Sequence, residues 1–305
     1  MARFLWNLET EILELQEELQ EGHYRPRTPR RFLIHDPKER LITVGHFRDR
    51  VVHHALCDGI GPILDARAIG SSYACRPGKG PLEAIAHCQR LARRCRFFLK
   101  CDVAQFFASI DHAILGILLS RTTKDRRVLA LLRVILDAGG NLGEGGRPDR
   151  GLPIGSLTSQ HLANYYLAGL DHYVLQQLRP VGYLRYMDDF LLFGQERGRL
   201  REMLTAIREF LAKRRRLRLR DSATLLAPTA SGIPFLGLQI FPGVIRLRRS
   251  RIRRFGRLAK RRLAQYGAGV LSEKEWQNSI TAMLAHIERG SAPAFRRALI
   301  QPILR

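Results

Sequence analysis

Apolar residues recur along this chain in two periods, and the switches between them mark out its elements. Leu8, Ile12, Leu15 and Leu19 fall at helical spacing with glutamates between them, which predicts an amphipathic opening helix. Residues 24–32 are basic and contain prolines, as a loop would. Residues 32–44 alternate and predict two strands turning at Asp36-Pro37-Lys38. Phe47, Val51, Val52, Ala55, Leu56 and Ile60 restore the helical period over 46–64. Arg76-Pro77-Gly78-Lys79-Gly80-Pro81 forms a turn-rich basic loop, and a helix follows to about Arg94. Residues 97–103, Phe-Phe-Leu-Lys-Cys-Asp-Val, predict a buried strand ending in an acid. Residues 111–137 read as mainly helical, 139–151 as a glycine-rich mobile hairpin or loop. A long buried helix is predicted over 156–178, with Leu162, Tyr165, Tyr166 and Leu170 inward. Leu200, Met203, Leu204, Ile207, Phe210 and Leu211 mark another, followed by strands near 216–227 and 233–247. Ser272 and Glu275 carry a capping-box signature with Leu271 and Trp276 as its hydrophobic staple. Trp276, Ile280, Met283, Leu284 and Ile287 give the next helix its apolar face. No internal repeat is present.

The pattern is broken most sharply at Tyr183-Leu-Arg-Tyr-Met-Asp-Asp-Phe-Leu-Leu-Phe193, where Asp188 and Asp189 sit between two apolar strand-like runs. A carboxylate in an apolar setting must be paired, protonated or bound to metal. Two on one turn make a ligand for hard divalent cations. An ordinary hairpin with an Asp-Asp turn is the plain alternative. Asp102, ending its own apolar strand, is a third acid that a sheet can bring to the same place. Three converging carboxylates repel, and divalent metal relieves that repulsion. Two metals about 3.5–4 Å apart can activate a hydroxyl and stabilise the leaving oxygen of a phosphoryl transfer. Gly151-Leu-Pro-Ile-Gly-Ser-Leu-Thr-Ser-Gln160 precedes the long helix. Its glycines permit close backbone approach to a ligand, and the hydroxyls and helix N-terminus can hold phosphate or bases; a plain helix cap explains the same residues.

Composition narrows the partner. The chain has 305 residues with 45% hydrophobic, so it is globular and long enough for two or three subdomains. Lys and Arg number 51 against 28 Asp and Glu, a net charge of +23 that calls for a polyanion. Nucleic acid is favoured over a membrane surface, because no lipidation or transmembrane feature accompanies the charge. Residues 151–170 carry no Asp, Glu, Lys or Arg but are too polar for a span, and the N-terminus lacks a signal-peptide run. Cys57, Cys75, Cys88, Cys95 and Cys101 are odd in number without Cys-x-x-Cys spacing, which fits a reducing cytoplasm and no zinc or disulfide framework. Residues 246–262 hold ten Arg or Lys in seventeen positions. As a helix this run would track phosphates with Leu247, Ile252, Phe255 and Leu258 inward; the alternative is a solvated basic face. His53, His54, His161 and His172 are assigned no catalysis.

Asp102, then Leu-Pro-Ile-Gly-Ser-Leu-Thr-Ser-Gln, then Tyr-Met-Asp-Asp, then Phe235-Leu236-Gly237, resembles the palm of a reverse transcriptase. The resemblance extends to Asp36–Ile42, Phe47–Leu56 and Ser72–Gly80 and covers nearly the whole chain. Within that superfamily it most resembles enzymes of diversity-generating retroelements, the cue being Ile154-Gly155 followed by Ser159-Gln160. Group II intron and retron enzymes more usually carry Gln-Gly and Ser-Pro there, and a retron-type Val-Thr-Gly motif is absent. The resemblance implies an α+β right-hand polymerase. Its N-terminal helix and fingers would be residues 1–95, an antiparallel palm 96–240 with a finger-like insertion around 120–155, and a basic helical thumb 241–305. It implies two Mg²⁺ ions, with Mn²⁺ able to substitute, on Asp102, Asp188 and the Val103 carbonyl, Asp189 supporting the site. Lys38 and Arg40 would hold the triphosphate, and Phe107 would gate the ribose 2′ position. Ile154, Gly155 and Gln160 would face the nucleotide. Tyr186 and Met187 would line the primer end. Phe235, Leu236 and Gly237 would form the primer grip, with Arg249 and Arg253 on template-primer phosphates.

The implied activity is RNA-directed DNA polymerisation, error-prone opposite template adenine because Ile154 stands where accurate relatives place a glutamine. Implied partners are template RNA, primer or cDNA, dNTPs and a basic ring-forming accessory protein, with no membrane, in a bacterial or phage-encoded cytoplasmic setting. One departure stands out: residues 217–226 hold no lysine to protonate pyrophosphate, and Arg220 is a poor proton donor. The alternatives are a retron-like or defence-associated reverse transcriptase, or an inactive RNA-binding scaffold, against which the intact acids argue.

Overall fold

The computed structural model describes residues 2–35, 39–139 and 149–287. Two short helices open it, α1 (Ala2–Trp6) and α2 (Leu8–Glu21), the latter closed by Gly22 at φ +76°, the left-handed cap that glycine adopts without cost. The predicted apolar stripe is only half used: Leu15 is buried, while Leu8 and Ile12 stay exposed. Arg48 explains why this helix docks at all. It is buried and bonded to Glu18 at 2.6 Å, so polar contact completes what the apolar stripe begins.

A hairpin follows, β1 (Arg30–His35) with β2 (Glu39–Val44), in register Ile34 to Arg40. Its turn, including Lys38, lies outside the described residues. Helix α3 (Phe47–Asp65) buries Val52, Leu56, Ile60 and Leu64. Helix α4 (Pro81–Arg94) starts with proline at its first position, where no N–H is needed.

A four-stranded antiparallel sheet forms the centre, in the order β4-β5-β3-β6. Its strands are β3 (Phe97–Asp102), β4 (Gly182–Tyr186), β5 (Asp189–Gly194) and β6 (Leu225–Pro228). Both faces are buried, which is why the strands read as continuous apolar runs rather than alternating ones. On one face Leu99, Cys101, Tyr183, Phe190 and Leu192 join a core with α5 (Phe106–Ser109), α6 (His112–Thr122), α7 (Arg126–Gly139), α8 (Leu157–Tyr173) and α9 (Arg197–Phe210). On the other, Phe98, Leu184, Leu191 and Phe193 pack beneath α4 and a three-stranded sheet. That sheet is β7 (Ile233–Phe235), β8 (Leu238–Ile240) and β9 (Ile245–Leu247). Each fully buried Leu or Phe contributes about 1.5–3 kcal/mol, so β3 and β5 are the best-anchored strands of the molecule.

The helix predicted over 156–178 is α-helical to Tyr173 and finishes in a π turn, Val174–Leu178, capped by Arg179 at φ +50°. Helix α9 ends the same way at Leu211–Arg215. The strand expected over 216–227 is mostly irregular: Val103 and Leu219 form an isolated bridge, and regular pairing begins only at Leu225. The basic run becomes α10 (Arg249–Gly267), with Phe255 buried. Helix α11 (Glu273–Ile287) starts on the predicted capping box, Ser272 Oγ and N–H both bonding Glu275. Trp276, Ile280 and Met283 are buried as expected; the side chains of Leu284 and Ile287 lie outside the described residues. Among the described residues no helix is long and apolar enough to cross a membrane.

Candidate functional site

Two central strands carry acids to one end of the sheet. Asp102 closes β3, and Asp189 opens β5 directly opposite it. Between β4 and β5 the chain reverses in two residues, Met187 and Asp188, with Met187 at φ +58°. Positive φ at the first central residue only is the pattern of a type II′ turn, which suits the twist of a hairpin. A non-glycine residue held there stores roughly 1–3 kcal/mol and persists only where its surroundings over-determine it. One such restraint is direct: the Val103 N–H donates to the Asp188 carbonyl at 3.2 Å, fastening the turn to the end of β3.

The electrostatics follow from that juxtaposition. Burial, then the charge of Asp102, raises the Asp188 carboxyl above the ordinary range. Asp189 is pushed up to about 6, burial outweighing its ion pair with Lys100, which projects from β3 on the same face. Arg220 brings Nη1 to 3.1 Å from Asp102 Oδ1, yet that oxygen is buried without a hydrogen bond. The Arg220 N–H donates to the Asp102 carbonyl at 2.8 Å, so the irregular segment after α9 is stitched to the site. Asp102 and Asp188 are therefore brought together, and Asp189 turns to Lys100. Among the described residues no group of three His, Cys, Asp or Glu forms a metal-ligand cluster. The Asp102–Asp188 pair still fits a hard cation, which would relieve their mutual repulsion and satisfy the unbonded Oδ1.

A second wall hangs from the same strand end. Phe107 is half-buried, edge-on to Phe106 at 5.6 Å, and its carbonyl accepts the Leu152 N–H at 2.8 Å. That bond ties the segment before α8 to α5, the short helix that follows the acid-bearing strand β3. The Ile154 carbonyl accepts the Thr43 N–H of β2 at 2.8 Å. Gly155 sits at φ +117°, and a Cβ there would lie 2.6 Å from the Thr43 carbonyl oxygen, so only glycine allows β2 this close. Arg40 is exposed on β2. Gln160 Oε1 accepts from Cys75 Sγ at 3.3 Å. Thr158 lies 2.6 Å from His53 Nδ1, joining α3 to the start of α8; burial lowers the His53 pKa and favours its neutral form.

Tyr186 is half-buried opposite Asp189, and Met187 packs partly against the core. Phe235 is buried, and Leu236 and Gly237 turn the chain at φ +48° and +79°. A Cβ on Gly237 would strike the Arg251 guanidinium, so this turn lies against α10. Arg249 and Arg253 are exposed on that helix. Lys100 and Arg185 were not foreseen. Both had a signal: a basic residue inside an otherwise apolar strand, which needs an acid nearby.

This sheet, with helices behind it and an acid-bearing hairpin at its end, is the fold of the reverse transcriptase and telomerase class. Telomerase from Candida tropicalis, in its apo form truncated from the C-terminal domain, superposes with a TM-score of 0.55 over 79% of this chain and 60% of that one, at 11% identity. Telomerase from Candida albicans, in complex with a fragment of telomeric RNA, gives 0.53 over 99% and 59%, at 15% identity. The chain belongs to the reverse transcriptase (RNA-dependent DNA polymerase) family, whose model matches residues 35–240. Protein YkfC of Escherichia coli K12 is 26% identical over 270 residues, covering 75% of this chain and 71% of that protein. The group II intron-encoded protein LtrA of Lactococcus lactis is 28% identical over 172 residues, 55% of this chain but 29% of LtrA.

Proposed function

We propose that this chain copies RNA into DNA at the end of the central sheet, with Asp102 and Asp188 as the acids of the reaction centre. The observation that carries this reading is their enforced proximity: the Val103–Asp188 bond and the Asp102 charge felt by Asp188. Asp102, Asp188 and the Val103 carbonyl would hold Mg²⁺, Asp189 acting from beside them through Lys100. When bound, the metal supplies Lewis-acid stabilisation of phosphoryl charge and a more acidic primer hydroxyl. The chain's own part is to position. Gly155 lets β2 close on Ile154, so Arg40 can reach a triphosphate from the hairpin, with Lys38 as the second proposed phosphate ligand. Phe107 stands at the end of the acid-bearing strand, where a ribose would pass. Arg220, beside Asp102, offers fixed positive charge to departing pyrophosphate while water carries the proton.

In this reading residues 1–95 are the fingers, 96–240 the palm and 241–305 the thumb. Helix α10 presents Arg249 and Arg253 to template-primer phosphates, and template RNA and dNTPs are the partners, in a bacterial or phage-encoded cytoplasmic setting. Affinity for a primed RNA then falls by about 10³-fold or more between 50 and 200 mM salt, as for any protein neutralising six or more phosphates. Fluorescence anisotropy across a salt series measures it, and a flat response argues against this role of α10. Extension of a primed RNA template by the purified protein, followed by sequencing, tests the whole reading. A protein that binds the template but extends no primer would be a scaffold instead.

The finer reading, an adenine-mutagenic enzyme of a diversity-generating retroelement with a basic accessory protein, rests on Ile154. A branched apolar side chain offers the base and sugar no hydrogen bond, so geometry alone must reject a mispair. Ile154→Gln lowers misincorporation opposite adenine by about 10-fold, the worth of one to two kcal/mol of added discrimination. Product sequencing reads this; an unchanged adenine error rate removes the finer reading. Similarity to the group II intron-encoded protein LtrA favours the other reading, a group II intron-type enzyme.

A further inference from the structure

Among the described residues, the most deeply buried charges are a pair away from the acids of the sheet end, Arg185 and Asp171. Arg185 on β4 is fully buried, on the sheet face opposite Asp102, and all five of its N–H donors are used. Nε and Nη2 fork onto Asp171 of α8 at 2.8 and 2.6 Å. Nη2 also donates to the Asn164 carbonyl at 3.3 Å, and Nη1 to Asn164 Oδ1 at 3.0 Å. The last donor, again on Nη1, reaches the carbonyl of Met187 at 3.0 Å.

That last bond sets this network apart from a structural ion pair. A buried pair is weak grounds for stability, because apolar side chains of similar volume often serve as well. They cannot donate to a carbonyl. Met187 is the strained residue of the turn, at φ +58°, and Asp188 is its immediate neighbour. The Val103 N–H holds the turn from the β3 side; Arg185 holds it from behind. The anchor is itself immobile. Tyr183 donates to Asp171 at 2.7 Å, Asn164 Nδ2 to the Ala74 carbonyl at 2.6 Å, and the Arg185 backbone pairs with Ser71 and Tyr73.

We propose that Arg185, oriented by Asp171 and Asn164, is a positioning residue that fixes the Met187–Asp188 turn and thereby the place of the Asp188 carboxylate. It touches no substrate. The proposal rests on the reading of Asp188 as a metal-binding acid. Outer-shell partners of a metal ligand typically matter by about 10–100-fold in metal affinity or activity.

Two variants test it. Arg185→Lys keeps the charge opposite Asp171 but has no fork to reach Met187 as well. The triple change Arg185→Met, Asp171→Leu, Tyr183→Phe removes the charges and the orphaned hydroxyl together, leaving an apolar core. Each is examined by thermal melting, by Mn²⁺ binding monitored by electron paramagnetic resonance, and by steady-state extension of a primed template. The expected result, in whichever variant melts within a few degrees of the parent, is Mn²⁺ binding weakened by about 10-fold or more. The kcat falls in parallel, and KM for dNTP stays within about threefold, since substrate contacts are untouched. A folded variant of either kind with parental Mn²⁺ affinity and kcat overturns the proposal. So does a Lys variant that unfolds while the triple variant folds and works normally, because the arginine is then only core. Should the parent protein itself bind no Mn²⁺ and extend no primer, the reading of the acids fails instead.

Discussion

Asp188→Ala abolishes primer extension, lowering kcat by about 10³-fold or more, while leaving the protein at least as stable as its parent. Both halves come from the same geometry. A metal clamp contributes several kcal/mol of transition-state stabilisation, and each 1.36 kcal/mol is tenfold in rate. Stability moves the other way because burial and Asp102 raise the Asp188 pKa above its unfolded value. The sign is fixed by linkage: an acid with a raised folded pKa opposes folding when ionised, fully so above that pKa, and the penalty disappears as pH falls through it. Without added divalent metal, the variant's melting temperature at pH 7 is therefore equal to or above the parent's. The gain shrinks as the buffer is acidified. Melting curves at neutral and acidic pH, beside an extension assay, check both. Loss of activity accompanied by a large drop in melting temperature would mean that Asp188 holds the fold rather than a metal.

The second large effect belongs to a residue without a side chain. In Gly155→Ala the new methyl meets the Thr43 carbonyl oxygen at 2.6 Å, and the backbone is held at φ +117°, where an L residue is strained. Backbone strain of this kind costs roughly 1–3 kcal/mol, visible as a melting temperature several degrees lower. The functional loss is greater. Relief comes only by pushing β2 away from Ile154, breaking the Thr43–Ile154 bond and carrying Arg40 with it. A displacement of about 1 Å in a positioning wall can cost 10²-fold in rate. The expected signature is a raised KM for dNTP and a lower kcat, with affinity for primed RNA unchanged. Parental kinetics in a folded variant would show that β2 plays no part in nucleotide binding.

Much of this was legible from residue order alone, for identifiable reasons. Strands β3 and β5 announced themselves because both faces are buried, so their runs beside Asp102 and Asp189 are apolar but for Lys100. The capping box at Ser272 was readable because its chemistry is local, a reciprocal bond three residues apart. The partners of the acids were not. Lys100 reaches Asp189 from 89 residues away, and Asp171 meets Arg185 only because α8 lies across the back of β4. Such pairings depend on tertiary placement, and the one clue was a lone cation in an apolar strand. The segment after α9 was misjudged for a different reason. Alternating Leu217, Arg218, Leu219 and Arg220 has strand period, yet only Leu219 finds a bridge partner, because β3 ends there.

The contrast between the central strands and the β1–β2 hairpin carries a consequence for how such a polymerase can change. Strand β3 is enclosed by neighbours on both edges and cores on both faces, whereas every residue of β1 is exposed. In the proposed reading, chemistry is invested in the portion least able to tolerate substitution, and triphosphate contact in a hairpin whose first strand adds nothing to the core. On that reading, lineages can remodel what the enzyme accepts by drifting along β1, with little risk to the scaffold that makes the bond.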